Sequence, residues 1–187
     1  MAKAVMAIIE NCVACKSCEI ACAVEHSESK SLFGAIAEGN GTRSRMRVEN
    51  AITHSYPSNC NHCQEAACMA ACPTGAMQRK AKTDSVFVDE GRCIGCWMCV
   101  MVCPFGAVTA NSQSQKALKC DRCPDRVEAG QNPACVDACP TRALVFASPE
   151  EFAAQRRLPI AAQAATGAEV AGTTGHIEIW RALKGAQ

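Results

Sequence analysis

The chain has 187 residues, a formal net charge of +1 and 16 cysteines, which is an unusually high cysteine content for this length. The near-neutral charge gives no support for nucleic-acid binding, and no apolar run reaches the roughly 18 residues that a membrane-spanning helix needs. The first ten residues have too short an apolar stretch for a secretory signal and no twin-arginine pair, so we expect a cytoplasmic protein. Structural disulfides are rare in that compartment, which favours metal ligation by the cysteines.

In chain order, the sequence predicts repeats of a small unit: a strand, a cysteine loop, one helical turn and a second strand. The cysteines form four groups of four with none left over: Cys12, Cys15, Cys18 and Cys22; Cys60, Cys63, Cys68 and Cys72; Cys93, Cys96, Cys99 and Cys103; Cys120, Cys123, Cys135 and Cys139. Apolar runs predict strands at Val5–Ile9, Val86–Val88, Ala107–Thr109 and Leu144–Phe146. Proline follows the fourth cysteine of the last three groups and ends the helical turn, whereas Ala23 follows Cys22.

A basic segment between the first two cysteine groups lies outside the repeats. After the turn signal Gly39–Gly41, alternation places Arg43, Arg45 and Arg47 on one side of a predicted strand, with Met46 and Val48 on the other. Such a strand is either a solvated sheet edge, or a docking face and counter-charge for nearby anionic groups.

The C-terminal segment is the second region outside the repeats. Ser148–Glu151 combines an N-cap, a proline and acidic residues, and this pattern predicts a short helix. Beyond Pro159 we expect an arm that docks on a partner, together with the arginine-bearing strand.

The spacing of the third group favours iron–sulfur ligation. Cys93–Pro104 is the C-x₂-C-x₂-C-x₃-C-P run of two-cluster bacterial ferredoxins, in which the fourth cysteine binds the other cluster. A structural zinc site usually joins two separated pairs, which the fourth group resembles and the first and third groups do not, and disulfides between such close cysteines would be strained. We therefore expect four [4Fe–4S] clusters, each near −2 when oxidised (about −8 in total). A structural zinc-binding interaction protein is the alternative.

The remaining polar residues suggest no catalytic site. His26, His54, His62 and His176 share no ligand spacing and are expected to be ordinary side chains, although His62, between two cysteines, could adjust a cluster potential by hydrogen bonding. Trp97 is expected to pack and exclude solvent. No phosphate loop, nucleophile elbow or carboxylate pair is found, so we expect a protein that is not an enzyme by itself.

Two segments, Cys60–Ala76 and Lys119–Cys135, resemble the second and fourth motifs of a known family. These are the four-cluster, ferredoxin-like electron-transfer (beta) subunits of dimethyl-sulfoxide reductase-type molybdenum enzymes, formate dehydrogenases, hydrogenases and carbon monoxide dehydrogenases. The resemblance covers about residues 5–147. Within the family, Cys12–Cys22 and the cytoplasmic start are most similar to the iron–sulfur subunit of carbon monoxide dehydrogenase.

The resemblance implies an α+β fold of two pseudo-symmetric halves, each like a bacterial ferredoxin with two [4Fe–4S] clusters. The four-cluster domain would span residues 1–150, with half one formed by about residues 1–50 and 111–150 and half two by about residues 51–110. Residues 151–187 would form a C-terminal helix and arm.

Spacing alone leaves open whether the second or the fourth group pairs with the third. The resemblance implies that group two pairs with three and group one with four. The implied ligand sets are Cys12, Cys15, Cys18 and Cys139 for cluster 1; Cys60, Cys63, Cys68 and Cys103 for cluster 2; Cys93, Cys96, Cys99 and Cys72 for cluster 3; and Cys120, Cys123, Cys135 and Cys22 for cluster 4.

The implied function is the transfer of single electrons between a catalytic oxidoreductase and an acceptor protein. Carbon monoxide dehydrogenase is the expected partner, with a hydrogenase or a flavin NAD(P) oxidoreductase as acceptor. Formate dehydrogenase, hydrogenase and molybdopterin reductase are the alternative catalytic partners. We expect an anaerobic protein that reaches the membrane, if at all, through its partner.

The first testable prediction is stoichiometric. Protein purified without oxygen should be brown and hold about 16 iron and 16 sulfide per chain, because four cubane clusters need four of each. Iron and acid-labile sulfide analysis measures this directly. A value near 8 iron would reject two of the four sites, and a colourless zinc protein would reject all of them.

Overall fold

The computed structural model describes residues 3–38, 43–51 and 53–166. Contacts divide the chain into a large unit, residues 2–146, and a second unit that begins at residue 147. Across the described residues the strands are β1 (Ala4–Ala7), β2 (Arg47–Ala51), β3 (His54–Ser58), β4 (Met77–Lys80), β5 (Ser85–Val88), β6 (Val108–Asn111), β7 (Lys116–Lys119) and β8 (Leu144–Ala147). The helices are α1 (Ser17–Glu25), α2 (Leu32–Ala37), α3 (Ala67–Ala70), α4 (Met98–Met101), α5 (Pro124–Glu128), α6 (Ala134–Asp137) and α7 (Pro149–Thr166), with a 3₁₀ turn at Ile9–Asn11.

The strands form four two-stranded sheets. β2–β3, β4–β5 and β6–β7 are antiparallel, and β1 pairs with β8. The last pair brings the two ends of the repeat region together, and the Ile8 N–H donates to the Ala143 carbonyl at 2.7 Å beside it. Small antiparallel strand pairs joined by short helices are a ferredoxin-like arrangement of mixed α and β structure.

The four predicted strands are present, with their bounds shifted by at most two residues. No apolar pattern in the sequence marks β3, β4 and β7, because none of these strands contains a run of three apolar residues. Each completes a hairpin with a neighbouring strand and buries few side chains, such as Met77 in β4 and Ala117 in β7.

Two separate hydrophobic cores each contain some of the cysteines. The first joins Val5, Met46, Val48 and Leu144 to Cys18, Cys22 and Cys135. The second joins Ala76, Met77, Val86, Val108 and Ala117 to Cys93 and Cys99. Ala117 packs in the second core because β7 is the hairpin partner of β6, so part of the segment assigned above to half one packs with half two.

Helix α1 differs from its counterparts in length. α3, α4 and α6 have four residues each and end three residues before a proline, as the repeat predicts. α1 has nine residues and continues past Cys22, because Ala23 stands where proline follows the other groups. The unit therefore ends here in a longer helix instead of a turn and a strand.

The arginine-bearing strand is shorter than predicted. β2 begins only at Arg47, because the Ser44 hydroxyl donates to the Met46 carbonyl at 2.7 Å and bends the chain there. Arg43 and Arg47 are exposed, and Arg45 is half-buried in an ion pair with Asp121. The prediction that the three arginines share one strand face is therefore wrong, although Met46 and Val48 are buried as expected.

The unit that begins at residue 147 contains α7. The Ser148 hydroxyl accepts from the Glu151 N–H at 3.2 Å, and the Glu151 carboxylate accepts from the Ser148 N–H at 2.8 Å, which forms a capping box. This confirms the predicted start, but the helix continues through Pro159 to Thr166 and is not short. The predicted arm beyond residue 166 lies outside the described residues. Of the helices described, none is both long and apolar enough to cross a membrane.

Candidate metal centres

Two small cavities are each lined by four cysteines. One is lined by Cys12, Cys15, Cys18 and Cys139. The other is lined by Cys72, Cys93, Cys96 and Cys99. Each cavity combines three cysteines of one group with the fourth cysteine of a different group. These are the combinations named above for clusters 1 and 3.

A third group of cysteines lies around Cys135, which shares a buried core with Cys22 and Cys18. Burial raises the pKa of the Cys135 thiol well above its usual value, and the nearby Cys120, Cys22, Cys123 and Cys18 raise it further. Thiolates at these positions would therefore repel one another. Iron bound between them would compensate that charge.

The fourth set consists of four half-buried cysteines, Cys60, Cys63, Cys68 and Cys103, whereas each of the other three sets has at least one buried cysteine. Burial raises the pKa of the Cys68 thiol, the Lys119 charge lowers it, and Cys60 and Cys103 raise it, so these three sulfur atoms interact. Cys63 is half-buried, and its carbonyl accepts a hydrogen bond from Arg79. Cys15 and Cys96 are the two exposed cysteines of the sixteen, and each is the second cysteine of its group.

Left-handed backbone recurs at one position in all four groups. The residue before the second cysteine has a positive φ: Ala14 (56°), His62 (48°), Gly95 (70°) and Arg122 (70°). Glycine adopts this conformation freely, but other residues do so at a cost of about 1–2 kcal/mol. The sequence therefore indicates this turn only at Gly95.

The turns direct backbone N–H groups at sulfur. His62 donates to Cys60 Sγ and Arg122 to Cys120 Sγ, both at 3.4 Å. Further N–H donors to sulfur are Arg45 to Cys22 (3.3 Å), Ala117 to Cys93 (3.5 Å) and Ala143 to Cys139 (3.2 Å). Hydrogen bonds to ligand sulfur stabilise its negative charge and influence the potential of an iron–sulfur cluster.

His26 is not the ordinary side chain that the sequence suggests. Its Nδ1 lies 2.7 Å from the Cys22 carbonyl oxygen and 3.7 Å from Cys22 Sγ, and its Nε2 lies 3.1 Å from Asp121. Burial opposes a charge on His26, but the hydrogen bonds to Asp121 and Cys22 outweigh it and raise the pKa of His26 to about 10. The sequence missed this contact because it depends on α1 continuing past Cys22, which brings residue i+4 onto the face of the ligand.

His62 is buried and neutral. Burial, with the nearby charges of Lys119 and Arg122, lowers the pKa of His62 to about 2. Its Nδ1 accepts from the Val86 N–H at 2.9 Å, which assigns the remaining proton to Nε2. His54 is an exposed side chain beside Thr53, Trp97 lines the cavity with Cys96, and His176 lies outside the described residues.

Three buried donor atoms near the cysteines lack partners among the described residues: Arg45 Nε, His62 Nε2 and Arg122 Nε. A buried donor normally has an acceptor, because leaving it unpaired is costly. Together with sixteen thiols in four convergent sets, these donors fit anionic, sulfur-rich groups. The chemistry of the site therefore suits iron–sulfur clusters.

Comparison with known proteins agrees with this chemistry. The profile of the 4Fe-4S dicluster domain family matches residues 52–148, and that of the 4Fe-4S binding domain family matches residues 9–25. An iron–sulfur protein of Rhodospirillum rubrum is 37% identical over 182 aligned residues, covering 91% of this chain and 92% of the relative.

Two further relatives are named as reductase subunits. The B subunit of the anaerobic dimethyl sulfoxide reductase of Haemophilus influenzae is 40% identical, covering 76% of this chain and 72% of the relative. The electron-transfer subunit of thiosulfate reductase from Salmonella typhi is 39% identical, covering 79% and 76%. With sixteen cysteines in four groups, these matches give four [4Fe–4S] clusters as cofactors and a chain that, like its relatives, is not catalytic by itself.

The second testable prediction compares two glycines of positive φ. A Cβ at Gly95 would lie 2.4 Å from the Gln115 carbonyl oxygen, whereas a Cβ at Gly106 would meet nothing within 4 Å. Gly106→Ala should lower the free energy of unfolding by about 1–2 kcal/mol, the cost of the backbone conformation alone. Gly95→Ala should cost more and should reduce the iron content, because the clash moves the loop that carries Cys93 and Cys96.

Denaturant unfolding and iron analysis of both variants, prepared without oxygen, measure these effects. Equal losses of stability and of iron in the two variants would show that the contact between Gly95 and Gln115 does not hold the loop.

Proposed function

Since the chain belongs to the 4Fe-4S dicluster family, we propose that it is the electron-transfer subunit of a reductase complex whose catalytic subunit is a molybdopterin enzyme of the dimethyl-sulfoxide or thiosulfate reductase type. The observation that carries the proposal is the identity of 39–40% to two reductase subunits over more than two thirds of their lengths. Each [4Fe–4S] cluster carries one electron at a time, so the subunit would divide a two-electron reaction into single-electron steps.

The ligand sets implied by the family resemblance are our proposed assignment. The two cysteine-lined cavities support clusters 1 and 3, and the proximity of Cys135 to Cys22 supports cluster 4. In this assignment groups one and four form one ferredoxin-like half, and groups two and three form a pseudo-symmetric second half. The two separate hydrophobic cores support that division.

Carbon monoxide dehydrogenase stays a prediction as the catalytic partner. The relatives described above whose names state a partner enzyme are subunits of dimethyl sulfoxide and thiosulfate reductases, so they favour a molybdopterin reductase. Membrane attachment, where it occurs, would take place through the partner subunits.

The third testable prediction identifies the partner. A tagged chain isolated from its own cells without oxygen should retain a molybdopterin-containing catalytic subunit, and reduced complex should be reoxidised by dimethyl sulfoxide or thiosulfate. Mass spectrometry and cluster absorbance measure both results. Recovery of carbon monoxide dehydrogenase, with reduction by carbon monoxide, would replace the proposed partner but keep the electron-transfer role. Clusters that no co-purified enzyme reduces or oxidises would contradict that role.

The fourth testable prediction concerns ligation across groups. Cys72→Ser should perturb the cluster of Cys93, Cys96 and Cys99, because Cys72 lines the same cavity as these three. Electron paramagnetic resonance of the reduced protein measures which cluster changes. Thr74→Ala is the matched control, because it removes a hydroxyl 3.8 Å from Cys72 Sγ and leaves every cysteine in place.

All four clusters are expected to remain bound in the control, because no ligand is removed. Damage confined to the cluster of Cys60, Cys63 and Cys68 in Cys72→Ser would contradict the proposed pairing.

A further inference from the structure

We propose that Lys119 and Arg122 are a pair of buried cations, the junction cations, that raise the reduction potentials of clusters 2 and 4 and so favour electron transfer between the two halves. The proposal rests on the ligand assignment of the proposed function.

The junction cations are almost completely buried, with 3% of Lys119 and 4% of Arg122 exposed. Lys119 Nζ donates to the carbonyls of Val86 and Cys120, and an Arg122 terminal nitrogen donates to the Thr83 carbonyl at 2.8 Å. Within the described ranges, neither cation forms an ion pair with a carboxylate. Their charges are therefore solvated by neutral carbonyl groups alone.

The acids that influence this region are already paired with other cations. Asp84 forms an ion pair with Arg79 at 2.7 Å, and Asp121 is paired with Arg45 and His26. Burying a charge without a counter-ion is strongly unfavourable. The anionic clusters are the counter-charge that the site requires, and the unpartnered Arg122 Nε is one donor available to them.

Both cations adjoin Cys120, a proposed ligand of cluster 4, and contact the β4–β5 hairpin. The Arg122 backbone N–H donates to Cys120 Sγ at 3.4 Å, and its side chain donates to the Thr83 carbonyl at 2.8 Å. The residue after Thr83, Asp84, accepts a hydrogen bond at 3.1 Å from Gln64, which follows the proposed cluster 2 ligand Cys63. Arg122 thus lies beside one ligand set and is connected through this hairpin to the other.

A chain of hydrogen bonds also connects the two sets through Lys119. Its ammonium group binds the carbonyls of Cys120 and of Val86 in β5. The Val86 backbone N–H donates to the ring nitrogen Nδ1 of His62 at 2.9 Å. The backbone N–H of His62 in turn donates to Cys60 Sγ at 3.4 Å. Lys119 is therefore a structural link between the two cysteine sets as well as a charge.

Reduction adds one negative charge to a cluster, and a fixed cation nearby stabilises that charge. At an effective dielectric constant of about 20, a unit charge about 10 Å away changes such an equilibrium roughly tenfold. Two cations shared by two clusters would raise both potentials relative to those of clusters 1 and 3. An electron that enters either half would then be drawn to the junction.

The experiment is a redox titration of the full chain, followed by electron paramagnetic resonance, in Lys119→Met and Arg122→Gln. Each neutral variant should keep about 16 iron per chain and shift at least one midpoint potential negatively by a tenfold change in the equilibrium, about 59 mV for one electron. The charge-preserving variants Lys119→Arg and Arg122→Lys should retain most of the original potential. Lys82→Met is the control, because the side chain of Lys82 is 80% exposed. This variant should leave all four midpoint potentials unchanged.

Unchanged potentials in both neutral variants with four clusters present would overturn the inference and leave the junction cations a packing role. Loss of iron from both neutral variants, with retention in Lys119→Arg and Arg122→Lys, would support charge compensation of the clusters. Loss of iron from all four variants would also overturn the inference, because the shape of the side chains and not their charge would then hold the clusters. Fewer than four clusters in the unmodified chain would instead reject the proposed ligand assignment.

Discussion

The structure depends on one constraint, the convergence of cysteines from distant parts of the chain around shared anionic groups. Each cysteine-lined cavity takes three members of one group and one of another, so a cluster in the proposed assignment joins segments up to 127 residues apart, from Cys12 to Cys139. The pairing of β1 with β8 serves this closure, because it brings the first and fourth groups together. The two cores are small and include several of the cysteines. Cluster binding therefore contributes to folding as well as to function.

The sequence predicts the parts of the structure that covalent spacing controls. The grouping of the cysteines, the turns that end before Pro73, Pro104 and Pro140, and the capping box at Ser148 all follow from local chemistry. The polar strands β4 and β7 could not be predicted, because they are fixed by hairpin partners and not by an apolar pattern of their own. The left-handed turns at Ala14, His62 and Arg122 had no signal either, because glycine marks the equivalent position only at Gly95.

The electrostatics of the site was also beyond reach of the sequence. The net charge of +1 gives no indication that buried cations are concentrated near the cysteines. Of the three arginines expected to act together, only Arg45 reaches Asp121 beside Cys120, because the bend at Ser44 separates it from the strand that follows. The sequence gives no sign that Lys119 and Arg122 are buried, since their burial depends on tertiary contacts with Val86 and Thr83. Charge placement in this protein is a property of tertiary structure.

A single departure from the repeat makes two otherwise equivalent sites different. Cys22 and Cys103 occupy the same place in their groups, but Pro104 ends the turn at Cys103, and Ala23 lets α1 continue beyond Cys22. Only the longer helix can present His26 to Cys22, and only there do Asp121 and Arg45 join the histidine in a charged network. Cys22 thus lies beside a histidine whose pKa is raised, whereas the pKa of the buried His62, next to Cys63, is lowered. Repeated units would give clusters of similar potential, and electron transfer along a chain of centres gains direction only where their environments differ. The substitution of alanine for proline after Cys22 is one residue-level origin of that difference.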